Sequence, residues 1–169
     1  MDDTKKIPML ISAIVLPLSV TIIIPAVLFA FTFKKFSWDL GFPLILLPVI
    51  VRLLFVIAGI YLLVVTNRLF YSIGRGTLAP WDPPQKIVIE GPYEYIRNPM
   101  IGAVLLILLG ETIIAGSLII FCWFILFLIG NIIYFIYAEE PALVKRFGDE
   151  YKNYRKSVPM FIPKFRKKR

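Results

Sequence analysis

The chain has 169 residues, 59% of them hydrophobic, with a mean hydropathy of +0.80 and a formal net charge of +8. Soluble domains carry roughly 45–50% apolar residues; the excess here lies in long runs, which excludes a soluble globular domain and leaves one compact polytopic membrane bundle. Histidine is absent and the single Cys122 sits inside an apolar run, which excludes His-based triads, His-ligated zinc or haem and any disulfide framework.

The N-terminus, MDDTKKIPMLISAIV, has a weakly charged start and no small-residue cleavage site, and it reads as a retained first span. A helix needs about 20 apolar residues to cross a bilayer. The first candidate covers residues 7–33, with Pro8, Pro17 and Pro25; the second covers 40–66, with Pro43, Pro48 and a lone Arg52. Proline is tolerated in membrane helices and is expected to kink both. A connection over 67–98 follows, and its middle, GRGTLAPWDPPQ, is too rich in Gly and Pro for helix or strand. Trp81, Tyr93 and Tyr95 favour a loop lying at the membrane interface, and Gly74 and Gly76 permit close backbone approach to a ligand. The block 99–138 is long enough to cross twice. Its polar interruptions, Gly110-Glu111-Thr112 and Gly116-Ser117, put the turn nearby, with Glu111 reaching the far interface. The expected fold is all-α: a polytopic membrane helical bundle of about four transmembrane helices. Residues 1–66 form its N-terminal pair, and residues 67–169 combine loop, transmembrane hairpin and basic tail.

Positive charge sets the expected orientation. A cytoplasmic N-terminus puts Lys5, Lys6, Arg68, Arg75, Lys86, Arg97 and the cations after Glu140 on one side, against only Lys34 and Lys35 on the other. The Lys and Arg residues therefore point to topology and anionic lipid headgroups, not to nucleic acid, and the tail FIPKFRKKR is expected along the anionic leaflet. Two polar segments then share the cytoplasmic side: GPYEYIRNPMIG before the hairpin, and Glu139-Glu140 onward after it.

Those segments hold the candidate chemistry. Glu139 and Glu140 are expected to close the last span, where the helix dipole disfavours carboxylates. They are either its first solvated residues, near Lys145 and Arg146, or ligands for a cationic group, hydroxyl or amine. Asn98 and Pro99 have the residue types of an N-cap and first helical position, which explains the pair but not the upstream Tyr93 and Tyr95. Arg52, inside the second span, is costly unless it is paired or faces an aqueous cavity. It is either a substrate-binding residue or a structural ion pair.

GPYEYIRNPM, a hydrophobic hairpin, then EE and FGDEYKNYRKSVPMFIP together resemble the catalytic region of the isoprenylcysteine carboxyl methyltransferases and their phospholipid methyltransferase relatives. GRGTLAPWDPPQKIVIEGPY is similar to the loop leading into that region in many prokaryotic members, and the likeness covers residues 74–163. It implies an integral membrane enzyme, in a prokaryotic cell membrane, that uses S-adenosylmethionine (SAM). Carried over, it implies that Gln85, Lys86, Ile87 and Val88 line the cofactor through backbone. Tyr93, Asn98, Pro99, Glu139 and Glu140 match further cofactor residues, with Glu139, Glu140, Asn98 and Arg97 as the catalytic set. Asn98 stands where the eukaryotic pattern has His, Ile101 where it has a second Tyr, and Phe135 where isoprenylcysteine enzymes carry a carboxylate-binding Arg. Arg52 or Arg97 is then the substitute counterion if the fold brings it to the site. The expected activity is methyl transfer to a lipid-like or amphipathic acceptor. The alternatives are an isoprenylcysteine carboxyl methyltransferase proper, a non-catalytic lipid-binding protein of the same fold, and a small transporter using Arg52 and Glu111.

Overall fold

The computed structural model describes residues 15, 17–31, 43–44, 46–74 and 84–163. The expectations placed on Lys5, Lys6, Pro8, Lys34, Lys35, Arg75, Gly76, Trp81 and the tail beyond Pro163 lie outside the described residues. Among the described residues every regular element is helical. A π turn (Ser19–Ile23) leads into α1 (Ile24–Phe31), and α2 (Leu46–Ser72) follows. The hairpin is α3 (Pro99–Ala115) and α4 (Leu118–Tyr134); a second π turn (Phe135–Glu139) then joins α4 to α5 (Glu140–Phe147), and α6 (Asp149–Ser157) completes the set.

Helix α2 is 27 residues long, about 40 Å at 1.5 Å per residue. It outruns its expected end at Thr66 because the polar residues there bond back into it. Thr66 Oγ1 donates to the carbonyls of Leu62 (2.7 Å) and Leu63 (3.0 Å), and Asn67 Nδ2 donates to Leu63 O at 2.8 Å. Satisfied in this way, Ser, Thr and Asn side chains do not stop a helix.

The hairpin turn is narrower than the sequence indicated. Gly116 takes a left-handed φ of 54°, closing α3 with its N–H on Thr112 O at 3.1 Å, a conformation that favours glycine. Glu111 and Thr112 belong to the last turns of α3, where Thr112 Oγ1 returns to Leu108 O at 2.8 Å. Helix α3 packs most extensively on α2. A Cβ on Gly59 would lie 2.5 Å from Ile107 Cγ1 and 2.8 Å from Ala103 O, and one on Gly110 3.1 Å from Phe55 Cβ. Small residues at such a crossing let membrane helices approach closely. The outer face of α2 is the reverse: Leu54 and Ile57 are each 63% exposed, an apolar surface suited to lipid.

Both π turns trace to a proline placed two residues beyond them, Pro25 and Pro141. Proline has no N–H to give, and its ring crowds the carbonyl one turn back; a widened turn relieves the crowding. Ile24 N–H accordingly bonds to Ser19 O, and Glu140 N–H to Phe135 O. The carbonyl after Ser19, that of Val20, loses its helical donor and accepts from Trp123 Nε1 at 3.2 Å, tying α4 to the first element.

The second π turn also corrects the expected end of the last span. The helix runs unbroken from Leu118 to Phe147, so Glu139 and Glu140 lie inside it and not at its C-terminus. Its last turn holds Lys145 and Arg146, the charges the dipole favours there. By length and composition two helices can span a membrane, Leu46–Ser72 and Leu118–Phe147; Ser19–Ala30 and Pro99–Ile113 are shorter apolar helices beside them.

Candidate active site

The site forms where the N-terminus of α3 meets the C-terminus of α2, the end of the long helix and α6. Its floor is the connection into α3. Gly74 O accepts from Gln85 N–H (2.8 Å) and Lys86 N–H (3.3 Å), which folds the chain back against the end of α2. At Gly91, φ is 62° and a Cβ would meet Leu69 Cδ1 at 2.9 Å, so glycine is needed both for the turn and for the approach. A 3₁₀ turn (Gly91–Glu94) then buries Tyr93 against Phe70, with ring centroids 6.2 Å apart.

Asn98 caps α3: its Oδ1 accepts from Ile101 N–H at 3.4 Å, with Pro99 buried at the first helical position. The cap uses the amide oxygen, and Nδ2 makes no hydrogen bond among the described residues. The segment after α6 clamps this motif from outside. Arg97 N–H donates to Pro159 O at 2.9 Å and Asn98 N–H to Met160 O at 3.3 Å. Tyr154 adds a second tie, its hydroxyl donating to Tyr93 O at 2.7 Å, and Arg146 Nη1 donates to Pro84 O at 3.4 Å.

The paired acids face different surroundings. Glu140 is buried and bridges two arginines: Oε1 accepts from Arg97 Nη1, and Oε2 from Arg155 Nη1 at 3.0 Å. Arg97 also lies over the Phe135 ring, 5.7 Å from its centroid, a favourable cation–π placement. Glu139 has no hydrogen bond or ion pair among the described residues, and it lines a cavity of about 100 Å³ with Lys86, Ile87, Val88, Tyr93, Arg97 and Asn98. The Tyr151 hydroxyl, beside the Arg97 guanidinium, makes no hydrogen bond of normal geometry, and neither does Arg97 Nε. Burial first, then the charge of Glu140, pushes the Tyr151 hydroxyl up to about 12. Burial likewise raises Tyr93 and Tyr154. All three remain protonated at neutral pH.

Most of the residues singled out in the sequence therefore come together, in two groups. Lys86, Ile87, Val88, Tyr93, Arg97, Asn98 and Glu139 line the cavity. Gln85, Pro99 and Glu140 flank it: Gln85 is exposed and gives its N–H to Gly74, Pro99 shapes the helix start, and Glu140 is held by arginines. Arg52 is elsewhere, packed near Gly110 toward the opposite end of α2 and α3. Phe135 is only 2% exposed and lies beneath Arg97, outside the cavity lining. Sequence reasoning missed Phe70, Leu143, Phe147, Tyr151 and Tyr154 as lining residues. The last four recur at intervals of 4, 4 and 3 across a charged stretch, a helical stripe of the kind that marks one buried face.

Known proteins resemble this chain in sequence. Residues 40–150 match the family model described as phospholipid methyltransferase. The chain belongs to the phospholipid methyltransferase family. It is also 36% identical over 77 residues to the protein-S-isoprenylcysteine O-methyltransferase of Schizosaccharomyces pombe, a match covering 46% of this chain and 33% of that protein. The matched part thus spans about a third of that relative's length. Membership in this membrane methyltransferase family agrees with the apolar helices that frame the cavity.

Proposed function

We propose that the protein is an integral membrane SAM-dependent methyltransferase acting on a lipid-like acceptor, with the cavity and the basic segments on the cytoplasmic side. The observation that carries this reading is the division between the paired acids. Glu140 is neutralised by Arg97 and Arg155, while Glu139 faces the cavity without a partner among the described residues. An unpaired carboxylate beside free amide and hydroxyl groups suits a ligand that brings its own cation.

The donor set fits SAM. Glu139 meets a positive group, Asn98 Nδ2 and the Tyr151 hydroxyl offer donors, and Tyr93, Phe70 and Phe147 offer aromatic surface. Lys86, Ile87 and Val88 form one wall. Small-molecule pockets commonly enclose about 300–1,000 Å³, so a ligand of this size requires the cavity of about 100 Å³ to widen. When bound, SAM supplies an electrophilic methyl group on a sulfonium sulfur. The chain contributes position, since well-oriented reactants are worth roughly 7–11 kcal/mol. Glu140 acts as a positioning residue through Arg97. Glu139 is the group placed to accept a proton from an ammonium acceptor.

Arg97 is already neutralised by Glu140 and Phe135 is buried, which favours a neutral or amine-bearing lipid acceptor. A prenylcysteine carboxylate is the second reading, favoured by the 36% identical relative; Lys86 in the cavity wall is then the counterion. Calorimetric titration of the detergent-purified protein with SAM tests the cofactor, and transfer of labelled methyl to an amine lipid and to a farnesylcysteine analogue tests the acceptor. Saturable SAM binding with transfer to the amine lipid is expected. No SAM binding by the intact protein would overturn the proposal.

A further inference from the structure

The cavity beside Glu139 has one wall built differently from the others. On one side α2 and α3 cross closely and pack extensively. On the other lies α6, which continues from α5 only through Gly148. There φ is 57°, and a Cβ would meet nothing within 4 Å. Glycine is thus required at this position by the turn of the backbone and not by packing. Among the helices α6 packs mainly on α5.

Helix α6 turns one face to the cavity, with Tyr151 only 2% exposed and Tyr154 beside it. Lys152, Asn153, Arg155 and Lys156 are exposed. The bonds that fasten the helix down are polar. The Tyr154 hydroxyl donates to Tyr93 O at 2.7 Å, and Arg155 Nη1, on a half-exposed side chain, donates to Glu140 Oε2 at 3.0 Å. Beyond the helix, Pro159 O and Met160 O accept from the amides of Arg97 and Asn98. Each such bond is weak in net terms, because water takes its place on opening. Closure also has a cost. It buries the Tyr151 hydroxyl and Arg97 Nε without a hydrogen bond among the described residues, and unspent buried donors are unfavourable. The Arg97–Glu140 pair lies wholly before Gly148, so it survives a movement of α6.

We infer that α6 and residues 158–163 form a lid, hinged at Gly148, that swings away from the cavity to admit the cofactor and closes over it. A cavity of about 100 Å³ must widen to hold SAM, and displacing this wall leaves the α2–α3 crossing intact. The inference rests on the reading of this cavity as the cofactor site.

Hydrogen exchange of the full chain in detergent, read by mass spectrometry, tests the lid. Without ligand, peptides covering α6 and Arg97–Asn98 should exchange together and ahead of those from α2 and α3, as one local opening unit. Arg155→Gln should speed both by about threefold. Gly148→Ala should speed both by about tenfold, since alanine is strained at positive φ. Exchange in α2 and α3 should not change in either variant. With SAM at about a hundred times its calorimetric Kd, both peptides should slow by about a hundredfold. Separate exchange of the two peptides, exchange of α6 only together with α2 and α3, or SAM protection that spares α6 overturns the lid. Absence of SAM binding in the calorimeter overturns the cofactor reading instead, and the ligand-free exchange then decides the lid by itself.

Discussion

Substituting the paired acids one at a time separates their roles. The Glu140 side chain is 8% exposed, as are only 11% of Arg97 and 52% of Arg155. Removing one partner of a buried ion pair costs about 3–5 kcal/mol, whereas a half-exposed arm such as Arg155 contributes about 0–1 kcal/mol. Gln at 140 keeps a hydrogen bond to Arg97 but leaves that guanidinium unneutralised, so Glu140→Gln should cost about 3 kcal/mol. At about 2–4 °C per kcal/mol for a chain of this size, the melting temperature in detergent should fall by about 6–12 °C. Glu139 has no partner to lose, and its substitution relieves a neighbouring like charge; Glu139→Gln should stay within about 0.5 kcal/mol of the unmodified protein. Its effect should appear instead in SAM titrations, as a loss of about 1–3 kcal/mol of binding. If Glu139→Gln melts as low as Glu140→Gln, or if Glu140→Gln melts normally, the division of roles is wrong.

Three further outcomes follow from the packing. Phe135→Arg should destabilise the protein and reduce its yield, because it buries a second guanidinium beside Arg97; gain of activity on a farnesylcysteine carboxylate would show that position 135 reaches the acceptor. Gly59→Val should cost about 1–3 kcal/mol by overpacking α2 against Ile107 and Ala103, and an unchanged melting temperature would contradict the close crossing. Deleting residues 158–169 removes the acceptors of the Arg97 and Asn98 amides. Hydrogen exchange at those amides should accelerate while that of α2 does not, and unaltered protection would remove the clamp.

Local rules made parts of this legible in advance. Asn98-Pro99 reads as a cap and first helical position, and it folds as one. The apolar runs mark the helices because nothing else can bury or expose so much hydrocarbon. The failures are tertiary or arise from competing bonds. Thr66 and Asn67 looked like the end of a span, yet side-chain bonds to Leu62 and Leu63 satisfy them inside the helix. Glu111 looked like part of a turn, but the hairpin closes at Gly116, which takes the left-handed conformation. Arg52 carries no local mark of which end of the bundle it occupies; the crossing at Gly110 decides that. The segment VPMFIP was legible only as part of the family resemblance and, from Phe161, as a basic tail along the leaflet; its role as a backbone clamp depends on meeting Arg97 and Asn98 in space.

The paired acids show where a stricter reading of the sequence was available. Neighbouring residues on a helix of 3.6 residues per turn project about 100° apart, so Glu139 and Glu140 cannot both face one small cavity. One must turn toward a neighbouring element, and a carboxylate turned inward needs cations. Pro141 signals that the helix is distorted just before it, and Arg155 lies 15 residues beyond Glu140, on a short helix folded back after Gly148. Arg97 is the second cation, and it stands next to Asn98, which the cavity also uses. The inward acid therefore orders the very segment that the cavity-facing acid works beside. Two identical residues in sequence are thereby given different surroundings, one held by arginines and one facing the cavity.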